Sequence, residues 1–342
     1  MANERRPHLP RRALVVAALL LTVFAGGCSR SDSRRASDPF RLAFFPNIIH
    51  AQALVGHDEG AFARALGETE LETKQFNAGP SAMQALSSGS IDFAYAGTGP
   101  AINAYLKADR ELRIVAGAVS GGAVFVARTA RSPDELKGKV LATPQFGNSQ
   151  DIALRHWLKT QGLSIAEDRK GDVRVTPTAN PHILSLFISR RLEAAWVPEP
   201  WGARLIHEGG GHVLVDERDL WPNGAFPTTV LVTTTKVLQA RPQQVAAVLR
   251  AHIALTTRWR SDPATFARQA NDAYGKLTGK KLPEATLDDA FSRIAPTLDP
   301  MPAALAVAAK QAQELGFTSS ADISGLVDME PLRAAFVSKS VR

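Results

Sequence analysis

The sequence predicts an α/β protein built as two lobes, and three observations carry that prediction. Short apolar strands alternate with helical segments through the first part of the chain, the strand–turn–helix pattern restarts near residue 139, and beyond residue 234 the chain turns helical. The composition has room for this. A chain of 342 residues, 45% hydrophobic and 21% charged, can bury one large or two medium cores and is too apolar for disorder over most of its length. No run reaches the ~18 apolar residues that would span a bilayer.

The N-terminus reads as an export signal. Arg5, Arg6, Arg11 and Arg12 precede an apolar run from Ala13 to Ala25, and Gly26-Gly27 lead to Cys28, the only cysteine. Residues 1–27 are therefore expected to be removed. Four Arg and one Glu leave with them, and the formal charge falls from +7 to +4, too modest for a nucleic-acid partner without a basic stripe carrying exposed aromatics. A single cysteine also excludes an internal disulfide. Residues 28–38, including SRSDSRRASD, are polar and aperiodic and suit a flexible tether.

From Phe40 the elements follow in order. RLAFF at 41–45 reads as a buried strand, Pro46-Asn47 breaks it, and helices are expected at 49–56 and 58–66. A strand at 71–76 leads to a polar turn and a helix carrying Met83 and Leu86; a strand at 91–95 leads to Gly97-Thr98-Gly99 and a helix with Pro100 in its first turn. Leu112–Val119 is the next strand, which makes a mostly parallel sheet the expectation. Residues 121–128 form an extended apolar run. The second unit comprises strands at 139–142, 173–176 and 194–197 with helices at 150–161 and 182–189, and Phe226–Thr234 is a further β-branched run. Five helices are expected beyond it, at 242–258, 263–274, 284–294, 302–315 and 331–337. With crossings near 121–128 and 226–234, the first lobe is discontinuous, 39–124 plus 230–342, and the second is 125–229. A cleft between them is the usual place for a small ligand.

Helix starts carry unpaired N–H groups and a partial positive charge, so small polar residues there can seat a small anion. Ser81 and Thr98 are candidates on this ground; they are equally suited to act only as caps, and both readings stay open at this level.

Four stretches then become specific: FFPNIIHAQALVG at 44–56, FNAGPSAMQALSSGSIDFAYAGTGPAI at 76–102, DELKGKVLATPQFGNSQD at 134–151 and AAWVPEPWGARL at 194–205. With them the chain resembles the solute-binding proteins of bacterial ABC importers in the group for aliphatic sulfonates, taurine and nitrate, which is related to thiamine-precursor binders. The resemblance runs from about Phe40 into the C-terminal helices. It implies a two-lobed periplasmic-binding-protein fold, type II-like, that closes on its ligand by a hinge. On the first lobe it places Asn47, His50, Ser81 and Thr98 around the ligand, on the second Asn148, Ser149, Glu199 and Trp201, with Thr228 and Thr229 near the hinge. Hydroxyls and backbone N–H groups would donate to sulfonate or nitrate oxygens, and Glu199 could accept from an amine. Phe24 to Cys28 resembles a lipoprotein cleavage site, which implies lipidation of Cys28 and a place in the periplasm or at the outer face of the cell membrane.

The partners implied are a small-molecule ligand, an ABC permease with its ATPase, and the membrane through the lipid; a monomer without cofactor is expected. The alternatives are a binder of a heterocycle such as a thiamine-precursor pyrimidine, with Trp201 stacking and Glu199 pairing, and an envelope ligand sensor. An enzyme has less support. Gly97-Thr98-Gly99 has Ile102 where a dinucleotide loop needs its third glycine, and there is neither a Walker loop nor a Gly-x-Ser-x-Gly elbow. His207 and His212, around Gly209–Gly211, have a spacing that fits no familiar zinc set, and no metal is expected.

Overall fold

The first strand of the fold, β1 (Phe40–Phe44), shows why its sheet is covered on both sides. Phe40, Leu42 and Phe44 enter one hydrophobic cluster and Ala43 and Phe45 another, as the two-residue repeat of a strand requires. The computed structural model describes residues 38–107, 110–166 and 170–337. The export segment, Cys28 and nearly all of the tether lie outside the described residues.

After β1 come α1 (Ala51–Asp58) and α2 (Ala61–Leu66), β2 (Leu71–Gln75), α3 (Gly79–Ser87), β3 (Phe93–Ala96), α4 (Thr98–Lys107) and β4 (Leu112–Gly121). A second sheet follows, with β5 (Ala123–Ala127), β6 (Val140–Thr143), α5 (Ser149–Thr160), β7 (Arg174–Pro177), α6 (Asn180–Ile188), β8 (Ala194–Pro198), α7 (Trp201–His207) and β9 (His212–Asp216). The chain then returns as β10 (Pro227–Thr234) and continues through α8 (Thr235–Ala240), α9 (Pro242–Ser261), α10 (Pro263–Thr278), α11 (Glu284–Ser292), β11 (Ile294–Pro296), α12 (Pro302–Glu314) and α13 (Glu330–Val337).

The strand orders are β11-β4-β10-β3-β1-β2 in the first sheet and β7-β6-β8-β5-β9 in the second. The fold is a mixed α/β one, and the expectation of a mostly parallel sheet is corrected. Strands joined through helices, β1 with β2 and β3, and β6 with β7 and β8, pair in parallel. The strands that carry the chain between sheets do not: β10 is antiparallel to β3 and β4, and β5 to β8 and β9. They arrive without a helical crossover, so nothing turns them back into the parallel direction.

The extended run at 121–128 is in fact two strands in different sheets, broken at Gly122. Gly121 and Gly122 hold φ of +74° and +81°, and a Cβ on either would run into the Arg293 carbonyl or the Ile294 side chain. Only glycine takes that turn without strain. The second change of sheet falls between Asp216 and Pro227, so all of β10 belongs to the first sheet, its eight residues buried. Sequence periodicity also missed α7, α8, β9 and β11. The last is three residues at a sheet edge, where the expected end of a helix instead pairs Ile294 with Gly121.

In the second sheet, Phe125 and Trp196 face one side, stacked at 5.3 Å and 18°, while Val124, Val126, Ala195 and Val197 face the other. Both sheets are thus layered between helices. Among the described residues no helix is long and apolar enough to cross a membrane.

Candidate functional site

The parallel strands of both sheets end in turns that start helices, and these turns meet between the sheets. The carboxyl ends of β1, β2 and β3 supply Asn47, Asn77 to Gly79, and Gly97; those of β6 and β7 supply Asn148 to Gln150, and Asn180. This is the edge where open α/β sheets bind ligands, and the N–H groups of four helix starts give it a positive potential without a charged side chain.

A small inner chamber, about 30 Å3, lies at the meeting point. The first-sheet side contributes Asn47, His50, Asn77, Gly79, Gly97 and Thr228, and the other side Asn148, Ser149, Gln150 and Asn180. No charged side chain lines it among the described residues. An outer chamber of about 400 Å3 adjoins it, shares Phe45, Asn47, Asn77 and Asn180, and is walled by Phe76, Trp201, Arg204, Glu208, Tyr274, Lys280, Lys281 and Leu282.

Local bonds orient the inner residues. Asn148 caps α5, its Oδ1 accepting from the Asp151 N–H at 2.8 Å, and its Nδ2 donates to Gln150 Oε1 at 3.2 Å. Ser149 Oγ accepts from the Gly99 N–H at 3.1 Å across the cleft, which leaves the hydroxyl proton to donate elsewhere. Trp201 Nε1 crosses in the other direction to Asn47 Oδ1 at 2.9 Å, so the Asn47 amide turns its Nδ2 donors elsewhere. Thr228 Oγ1 donates to the Gly121 carbonyl. His50 is 1% exposed, and burial pulls its imidazole down to about 3, so it stays neutral at ordinary pH. Its Nδ1 and the Oδ1 of Asn180 are buried with no hydrogen-bond partner among the described residues. A buried polar atom of this kind calls for a water, an ion or a ligand as its partner.

Of the residues singled out from sequence, Asn47, His50, Asn148, Ser149 and Thr228 line the inner chamber and Trp201 the outer one. The other four line neither; of these Thr229 is fully buried, its Oγ1 donating to the Ile49 carbonyl at 2.8 Å. Ser81 is exposed on α3, because the helix begins at Gly79 and carries Ser81 round to the solvent side; Ala78 and Gly79 face the chamber in its place. Thr98 is buried as the first residue of α4, while Gly97 before it forms the wall. Glu199 is fully buried and already satisfied: Oε1 meets Arg293 at 2.9 Å and Oε2 accepts from the Ala203 N–H at 2.9 Å. It joins the end of β8 to the end of α11, away from both chambers. His207 meets Asp289 at 3.2 Å and His212 the Ala130 carbonyl at 3.0 Å, and no group of three metal-ligating side chains occurs among the described residues.

Asn77, Gln150 and Asn180 were not singled out. The signal for two of them was present: Asn180 directly precedes a proline in the first helical turn and Asn77 lies shortly before Pro80, in the manner of Asn47 beside Pro46.

Comparison with known proteins shows the family and the fold. Residues 34–272 match the model of the NMT1-like family. A candidate binding protein of Brucella abortus is 30% identical over 179 residues, 52% of this chain and 53% of that one; the match thus spans about half the length of this relative. The taurine-binding periplasmic protein of Escherichia coli is 25% identical over 222 residues, 64% of this chain and 66% of that one. The structure of the periplasmic nitrate-binding protein of Synechocystis superposes with a TM-score of 0.74 at 16% identity, covering 89% of each chain, and shows the same two-lobed fold. All three are named as binding proteins.

Proposed function

Since the chain belongs to the NMT1-like family, we propose that it is the exported solute-binding component of an ABC importer, capturing a small anion of the aliphatic sulfonate, taurine or nitrate kind and passing it to a permease and its ATPase. The single observation that carries this reading is the inner chamber, where four helix starts and neutral amides and hydroxyls converge from both sheets around two unpartnered polar atoms. An anion there is held by dipoles and N–H groups. Each sheet contributes part of the wall, so ligand favours the form in which both parts touch it. The hinge in this reading is the pair of sheet changes at Gly122 and between Asp216 and Pro227. The role is binding and not catalysis, by a monomer. We extend the reading to the cell envelope: residues 1–27 direct export and Cys28 carries a lipid that holds the protein at the outer face of the membrane.

A thermal-shift panel of nitrate, taurine, alkanesulfonates and thiamine-precursor pyrimidines on the full chain tests it. A true ligand at about a hundred times its Kd adds roughly 2.7 kcal/mol of stability. A response to the heterocycles alone would overturn the anion reading in favour of the pyrimidine alternative.

A further inference from the structure

Buried acids in this protein come with a base. Asp92, Asp151, Glu193 and Glu199 are paired with Arg241, Arg155, Arg128 and Arg293, the first at 3.6 Å and the others at 2.9 Å. Glu217 departs from that pattern. It is 5% exposed, and among the described residues it forms no ion pair. Its contact with Trp196, whose Nε1 donates to Oε2 at 2.7 Å, is to a neutral group, and burial pushes the carboxyl up to about 7. Above that pH the protein carries a buried charge without a counter-ion, a state that a cation from solution relieves.

There is room for one. Glu217 lines a cavity of about 220 Å3 that shares no residue with the two chambers of the cleft. One face of α5 walls it, with lining residues spaced three and four apart from Ala153 to Thr160, and Trp221 and Gln311 close it from other segments. The volume suits roughly seven water-sized groups. Trp157 and Trp221 give the wall aromatic surface, which attracts a cation, and the Thr160 hydroxyl and Gln311 amide can accept from N–H groups. His156 is the one basic group on this wall among the described residues, and its partner at 3.6 Å is Glu314. With a single carboxylate in the cavity and no group of three metal-ligating side chains among the described residues, the donor set suits an ammonium and not a metal ion.

We propose that this cavity is a second ligand site, which takes a short primary alkylammonium whose N–H groups are accepted by the Glu217 carboxylate and whose chain lies against Trp157 and Trp221. The inference is independent of the small-anion reading, since place and ligand charge both differ.

The test is calorimetric titration of the full chain at about pH 8 with n-butylammonium chloride, 1-butanol and sodium chloride. Butylammonium should saturate at one equivalent and bind at least roughly tenfold tighter than 1-butanol, the worth of a hydrogen bond to a charged group, while sodium chloride gives no saturable heat. Glu217→Gln keeps an oxygen for Trp196 and removes the charge, so butylammonium should fall to the level of butanol. Ala153→Leu fills the cavity from α5 and should weaken butylammonium severalfold. A circular-dichroism melt checks that both variants fold; if one does not, the other variant and the butylammonium–butanol comparison on the unaltered protein decide. Absence of saturable butylammonium binding, equally tight binding of 1-butanol, or unchanged affinity in either folded variant overturns the inference and leaves the small-anion reading untouched.

Discussion

Removing Arg293 should expose what Glu199 does. The carboxylate is 0% exposed, Arg293 sits 2.9 Å from Oε1, and the other arm of the guanidinium meets Asp289 at 2.7 Å. Arg293→Ala takes from a buried carboxylate its direct ion-pair partner, a change that costs about 3–5 kcal/mol. The Ala203 N–H stays on Oε2 at 2.9 Å, so the expected loss lies near the lower bound, about 3 kcal/mol. Combining Arg293→Met with Glu199→Gln leaves no orphan charge and should recover most of that loss. The pH dependence has a definite sign. Burial already raises the Glu199 carboxyl above its ordinary value against the opposing pull of Arg293. A carboxyl raised in the folded state takes up its proton there first, so stability rises as pH falls from the folded value towards the unfolded one. Without Arg293 the carboxyl is raised further, so from neutral to mildly acidic pH the loss should shrink as pH falls. Urea unfolding of the single and double variants across that range is the assay. A single-variant loss below about 1 kcal/mol, or one that does not change with pH, would refute the assignment of Glu199 as a buried charge held by Arg293.

Two further outcomes can be measured. Burial depresses His50 to about 3 and His252 to about 4, so both disfavour the folded state as pH drops below the unfolded value near 6.5, while burial raises Glu217 to about 7 and works in the opposite direction between there and 4.5. Glu217→Gln removes the opposing slope, and stability by urea unfolding should then fall more steeply on acidification, by about 1.4 kcal/mol per pH unit; an unchanged slope would count against a buried, titrating Glu217. At the cleft, a Cβ on Gly97 would lie 2.9 Å from Ser149 Oγ. Gly97→Ala should therefore weaken solute binding severalfold by holding the lobes apart, with melting shifted by less than about 0.5 kcal/mol; unaltered affinity would show that the lobes need not touch there.

Much of the architecture could be read from local pattern. Strands such as FRLAF, apolar but for Arg41, and the β-branched PTTVLVTT lack a polar-out alternation because both faces of each sheet are covered, and the prolines opening α9, α10 and α12 announce their helices directly. Short elements escaped because their stability comes from neighbours: β11 is a three-residue edge pairing, and α7 begins with a tryptophan read as a ligand contact. The chamber was legible wherever a polar residue followed a strand, as at Asn47 and Asn148. Ser81 and Thr98 line neither chamber, because one or two residues along a helix decide whether a side chain faces the cleft. Glu199 illustrates a different limit, since its partner Arg293 lies 94 residues away and no local pattern announces the pair.

Local sequence thus specified the strand–turn–helix units and the kind of polar residue at their ends, because those depend on periodicity, capping and the special backbone of glycine and proline. Which of those ends face one another was settled only by the tertiary fold. The sheet changes at Gly122 and before Pro227 bring Asn47 to Trp201 and Gly99 to Ser149. They also leave Asn180, unremarkable in its own segment, at the junction of two chambers with a buried Oδ1 that no described residue satisfies. Hydrogen-bond satisfaction is a property of the packed whole, and no window of sequence contains it.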